Sequence, residues 1–81
     1  MSKAEWAGAN RAVYRWHVKW GHQCADRISI LEAALFEAEE QGLDTRWLLE
    51  PIRLEKDKDA EHYRRAVEVR QWLQSAGCWA A

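Results

Sequence analysis

The residues with donor atoms suited to a metal are His17, His22 and Cys24, within the stretch RWHVKWGHQC from Arg15 to Cys24. Imidazole nitrogen and thiolate sulfur are ligands that zinc takes readily. The spacing works against a shared ion. On a helix His17 and Cys24 fall near one face while His22 lies well round from both, and the only downstream candidates are His62 and Cys78. The expectation is no metal and no cofactor, with the histidines partly exposed on a helix and Cys24 a small buried hydrophobe.

Covalent and acid–base chemistry is equally short of parts. The chain has no Gly-rich phosphate loop, no HExxH and no GxSxG, and its serines are Ser2, Ser29 and Ser75. Adjacent acids such as Glu39 and Glu40 have no concave setting when a chain this short folds as two or three helices. No catalytic residue is assigned, and the expectation is a protein that is not an enzyme.

Cations are the remaining chemistry. Arg11, Arg15 and Lys19 recur every four residues, lining one helix edge roughly opposite a tryptophan-bearing stripe, and a hairpin would bring Arg64, Arg65 and Arg70 to the same half of the molecule. Such a set can track phosphates or steer docking onto an acidic protein surface. A net charge of −1 with 31% charged residues, the lack of an aromatic platform between the cations and the absence of a helix-turn-helix pattern favour the protein partner. Binding of nucleic acid through Arg11, Arg15 and Lys19 is the alternative.

The elements that must carry these side chains are helices. SKAE at Ser2–Glu5 is a capping box. From it an apolar stripe runs through Trp6, Ala9, Val13, Trp16, Trp20, Cys24, Ile28, Leu31, Leu35 and Ala38 in steps of three or four residues, one helical face sustained to the EEQGL stop. There Gly42 suits a left-handed cap, with Leu43 folding back on Ala38. Asp44 can cap a short turn holding Trp47, Leu48 and Leu49, and Pro51 suits the first position of a second helix. That helix runs to about Ala76, where Gly77 and Cys78 repeat the Gly-plus-apolar stop. Its first half is charged and solvated, with salt-bridge spacing such as Glu61 to Arg65; its second half has an apolar face of Tyr63, Ala66, Val69, Leu73 and Ala76, with Trp72 beside it.

Gly21 is the one breaker inside the first stripe, at a cost of about 1 kcal/mol relative to Ala. Because Trp16, Trp20, Cys24 and Ile28 keep their phase across it, the predicted fold is all-α: a long helical hairpin of residues 3–41 and 51–76. The alternative is a three-helix bundle broken near Gly21, with Asp26 as the new cap. A first helix of about 58 Å outreaches a second of about 39 Å. With the turn near Arg46, Trp20 falls opposite Trp72, Leu31 falls opposite Glu61, and Trp6, Ala9 and Val13 project past the partner. An exposed tryptophan stripe is a binding surface. Trp6, Ala9, Val13, Trp16 and Trp20 are therefore the expected protein-binding or dimer seam, and a homodimer is expected to cover it.

The 81 residues with six Trp make one all-helical domain, residues 1–81, whose large aromatics supply either stability or an interface. Charge is segregated: residues 1–31 carry a net +3, residues 32–61 a net −6 and the tail from His62 a net +2. Two unpaired Cys, no apolar leader and no membrane-length run point to a cytoplasmic protein without membrane contact. In size, helical content and aromatic loading, though in no motif, the chain resembles the small proteins that phages and mobile elements encode to disable a host machine, anti-CRISPR proteins among them. That resemblance implies an inhibitor that binds a host protein complex.

Overall fold

Ser2 begins the first helix by accepting the Glu5 N–H on its hydroxyl at 3.1 Å, and nothing then interrupts the backbone ladder until Glu40. The computed structural model describes residues 1–79, with helix α1 over Lys3–Glu40 and helix α2 over Arg46–Ser75. The chain is thus an all-α antiparallel hairpin of 59 × 18 × 17 Å, and α1 passes through Gly21 without a break. No helix among the described residues is long and apolar enough to cross a membrane.

Both helices stop as the Gly-plus-apolar pairs require. Gly42 takes φ +68° and Gly77 φ +71°, the left-handed region that costs Gly nothing. The Leu43 N–H then reaches the Ala38 carbonyl at 2.9 Å, and the Cys78 N–H reaches the Leu73 carbonyl at 2.8 Å. These are the long bonds of two Schellman motifs.

The start of α2 departs from expectation. Asp44 accepts the Arg46 N–H at 3.0 Å and grips the Arg46 guanidinium, so the helix nucleates at Arg46 and absorbs the segment expected as a separate turn. Pro51 lies inside it rather than at its first position. An interior proline costs about 3 kcal/mol. Leu48 and Ile52, on either side of it, are 2% and 7% exposed, and each buried side chain of that kind contributes about 1.5–3 kcal/mol. Burial therefore offsets the lost bond.

The seam follows a strict alternation of three and four residues on each helix. On α1 it is Ala7, Asn10, Tyr14, His17, Gly21, Cys24, Ile28, Leu31, Leu35 and Ala38, and on α2 it is Leu48, Ile52, Glu55, Asp59, His62, Ala66, Val69, Leu73 and Ala76. Every one of these is buried or half-buried. This is the a/d pattern of a two-stranded coiled coil, with its 3.5-residue period.

That pattern corrects two further expectations. The stripe through Trp6, Ala9, Val13, Trp16 and Trp20 runs beside the α1–α2 seam, which it joins only from Cys24 onward. Nor does Trp20 face Trp72, because the earlier start of α2 slides the pairing, and His17 meets His62 instead. The first turns of α1 are also covered. Ala7 packs with Val69 and Leu73, and Trp6, Tyr14, Cys78 and Trp79 close over that cluster. Trp6 is thus half-buried rather than projecting. Tyr63, expected on the apolar face of α2, is exposed.

Candidate protein-docking face

Rotating one flank away from the seam of α1 brings up the row Trp6, Ala9, Val13, Trp16, Trp20, Gln23, Arg27, Ile30 and Ala34, again in steps of three and four. Apart from Trp6 at the clustered end, the first part of this row is open: Ala9 is exposed, and Val13, Trp16 and Trp20 are 44%, 52% and 37% exposed. The sequence-predicted set is therefore brought together as a continuous row, but on the flank and not in the core.

The indoles are held in place. The Trp16 ring lies 6.0 Å from Trp20, 5.0 Å edge-on from His17 and 5.5 Å edge-on from His62 across the seam. Aromatic pairs at such separations are each worth about 0.5–1.5 kcal/mol beyond their burial. Trp16 is therefore pre-organised while half of its surface meets solvent. Pre-organisation of this kind reduces the entropy a docking side chain loses on binding.

Under Trp16 the His17 and His62 Nδ1 atoms stand 3.0 Å apart. In the neutral pair one imidazole donates and the other accepts; with both protonated, two N–H groups would face one another. The pKa of His17 is lowered from 6.5, first by burial, then by the charges of His62 and Arg65, against the opposing pull of Glu61.

A second polar cluster lies nearer the turn. Arg27 Nε donates to Glu55 at 3.0 Å and its Nη2 lies 3.4 Å from Cys24 Sγ. Burial resists ionisation of Glu55, but the hydrogen bond and charge of Arg27, helped by Lys58, carry its pKa below the usual range. Burial, with Glu55 beside it, raises the Cys24 thiol above its ordinary value, so Cys24 is a buried, weakly nucleophilic thiol.

The cations do not form one strip. Arg11 donates to the Cys78 carbonyl at 3.1 Å at the seam edge, and four-residue steps wind Arg15 and Lys19 outward, so that Lys19 borders Trp16 and Trp20. Arg64 and Arg65 are paired with Glu61 at 2.7 and 3.1 Å and approach Glu68. Arg70 lies 5.3 Å over the Trp79 ring. Among the described residues Arg15 and Lys19 make no ion pair.

On the opposite flank a groove of about 340 Å³ opens where Gly21 leaves space, reached by His22, Asp59, Tyr63 and Arg70. No three His, Cys, Asp or Glu side chains among the described residues group closely enough to hold a metal. Sequence reading by stripe missed His62 as the partner of His17, and missed Trp47, Leu54 and Trp72, whose heptad positions set them on the same flank as Trp16. The three–four alternation of α2 sets the flank each of these takes, while the pairing of His62 with His17 depends on where α2 begins.

No protein-family model, curated protein or solved structure matches the chain.

Proposed function

We propose that this protein is a small non-enzymatic interaction module, acting in the cytoplasm, that docks another protein surface through Ala9, Val13, Trp16 and Trp20. The carrying observation is that these residues form one exposed helical row with Trp16 fixed at its centre by His17 and His62. Anchors spaced at i, i+4, i+7 and i+11 are how an amphipathic helix enters an apolar groove, and Trp is the residue most enriched where truncation costs an interface most. Lys19 beside the row favours a groove with an acidic rim. An inhibitor that occupies a host complex is the form of this activity implied by the likeness to small phage-encoded proteins.

The test is site-specific photo-crosslinking in cells. A crosslinking residue in place of Trp16 should yield covalent protein adducts, whereas one in place of Lys56, on the other flank, should yield few. No adduct from the Trp16 position, or equal capture from both, would overturn the reading.

A further inference from the structure

The isolated hairpin carries more surface than a protein of its size keeps. A folded monomer of 9.5 kDa is expected to expose about 5,050 Å², whereas this one exposes 5975 Å². The excess of roughly 900 Å² matches the share of about 800 Å² that each partner contributes to a standard interface. Much of the apolar part lies on one flank: Val13, Trp16, Trp20 and Ile30 of α1, with Trp47, Leu54 and Trp72 of α2, are each between 37% and 68% exposed.

Charge identifies what fits there. Folding at Gly42 brings residues 1–21 beside residues 62–79, which together carry +5, while the turn half, residues 22–61, carries −6. The hairpin is an electric dipole 59 Å long. A second copy laid alongside in the opposite direction sets each positive half against a negative one, and a two-fold axis does so twice.

The row on α1 is also self-complementary in that direction. In the antiparallel register whose paired numbers sum to 43, Ala9 meets Ala34, Val13 meets Ile30, Trp16 meets the Arg27 guanidinium and Trp20 meets Gln23. In the same register Lys3 lies across from Glu40. Apolar residues meet apolar ones, a cation meets an indole, and a base meets an acid.

We infer that the occupant of the aromatic row is a second copy of this chain, packed antiparallel through α1 to give a four-helix bundle with its two-fold axis near Gly21 and His22. This rests on the reading of that row as a docking face and names its partner.

Cysteine trapping tests it, in a Cys78→Ser background that leaves only buried Cys24. Val13→Cys and Ile30→Cys, both at exposed positions, are oxidised separately and as an equimolar mixture. The inferred dimer crosslinks in the mixture and not in either protein alone, and light scattering of the unsubstituted chain gives twice the monomer mass, falling by half with Trp16→Glu. Crosslinking of each variant alone, which a parallel pair would give, overturns the inference. So does a monomer mass at high micromolar concentration. If that monomer still gives foreign-protein adducts from the Trp16 position, the docking reading survives and only its occupant is wrong; if it gives none, both are wrong.

Discussion

At the scale of single residues, the seam's middle is held by polar groups whose state depends on pH. His17 faces His62, Glu61 and Arg65 from α2, with Trp16 above and Asp59 in the adjoining groove. Its folded pKa lies below 6.5, so between that lowered value and 6.5 the unfolded chain binds more protons than the folded one. Stability is therefore greatest above 6.5 and falls as pH drops through that window. Glu55, also lowered, adds a separate loss at more acid pH, when its carboxylate is protonated and its bond to Arg27 weakens. Denaturant melts at pH 7.5 and pH 5.5 should show the unsubstituted protein less stable at the lower value. His17→Gln, which keeps a hydrogen-bonding side chain but does not titrate, should narrow the difference, and an unchanged difference would remove the His pair from the account. The identities of His17 and His62 were plain in the sequence, but their meeting was not, because it depends on a register that Pro51 seemed to set and Asp44 actually sets.

At the scale of elements, what could be read and what could not divide along local and non-local causes. The continuity of α1 and both glycine stops were legible because caps, propensity and left-handed glycines act within a few residues. The aromatic row was legible as a row, but the phase of α1 that meets α2 was misassigned. The stripe steps by four three times running, from Trp16 to Trp20 to Cys24 to Ile28, which carries it from the flank onto the seam. A coiled coil holds a 3.5-residue period, and extending that period back from Ile28 gives Gly21, Tyr14 and Ala7. Tryptophan's hydrophobicity made the wrong phase look right, while Asn10, His17 and Gly21 hid the correct one. Gly21 provides the check. A Cβ there would sit 3.6 Å from Asp59 Oδ1 and 3.7 Å from His62 Cβ, ordinary contacts, so the seam does not require glycine. Gly21→Ala should stabilise the hairpin by about 0.4–1 kcal/mol, measured as a higher denaturant midpoint at unchanged slope. A loss instead would mean that α1 depends on bending at that point.

At the scale of the whole molecule, the charge layout separates docking on protein from binding to nucleic acid. The half formed by residues 1–21 and 62–79 carries +5, which by itself would suit phosphates. Its cations are already occupied, however: Arg64 and Arg65 by Glu61 and Glu68, Arg11 by a backbone carbonyl and Arg70 by an indole. That leaves Lys3, Arg15 and Lys19 as the ready contacts on α1. Three phosphates neutralised give a log–log salt dependence with a slope near −3, too shallow to support tight non-specific binding. The −6 half repels any duplex lying along the rod, since at about 0.15 M salt the screening length of about 8 Å is short against 59 Å but not against a single contact. Purified protein titrated onto duplex DNA and single-stranded RNA at that salt should give no shift at micromolar concentration. A shift with a slope of about −5, abolished by reversing Arg15 and Lys19 to Glu, would mean that the paired arginines release their acids for phosphate, and the Arg11, Arg15 and Lys19 stripe would then displace the tryptophan row as the functional surface.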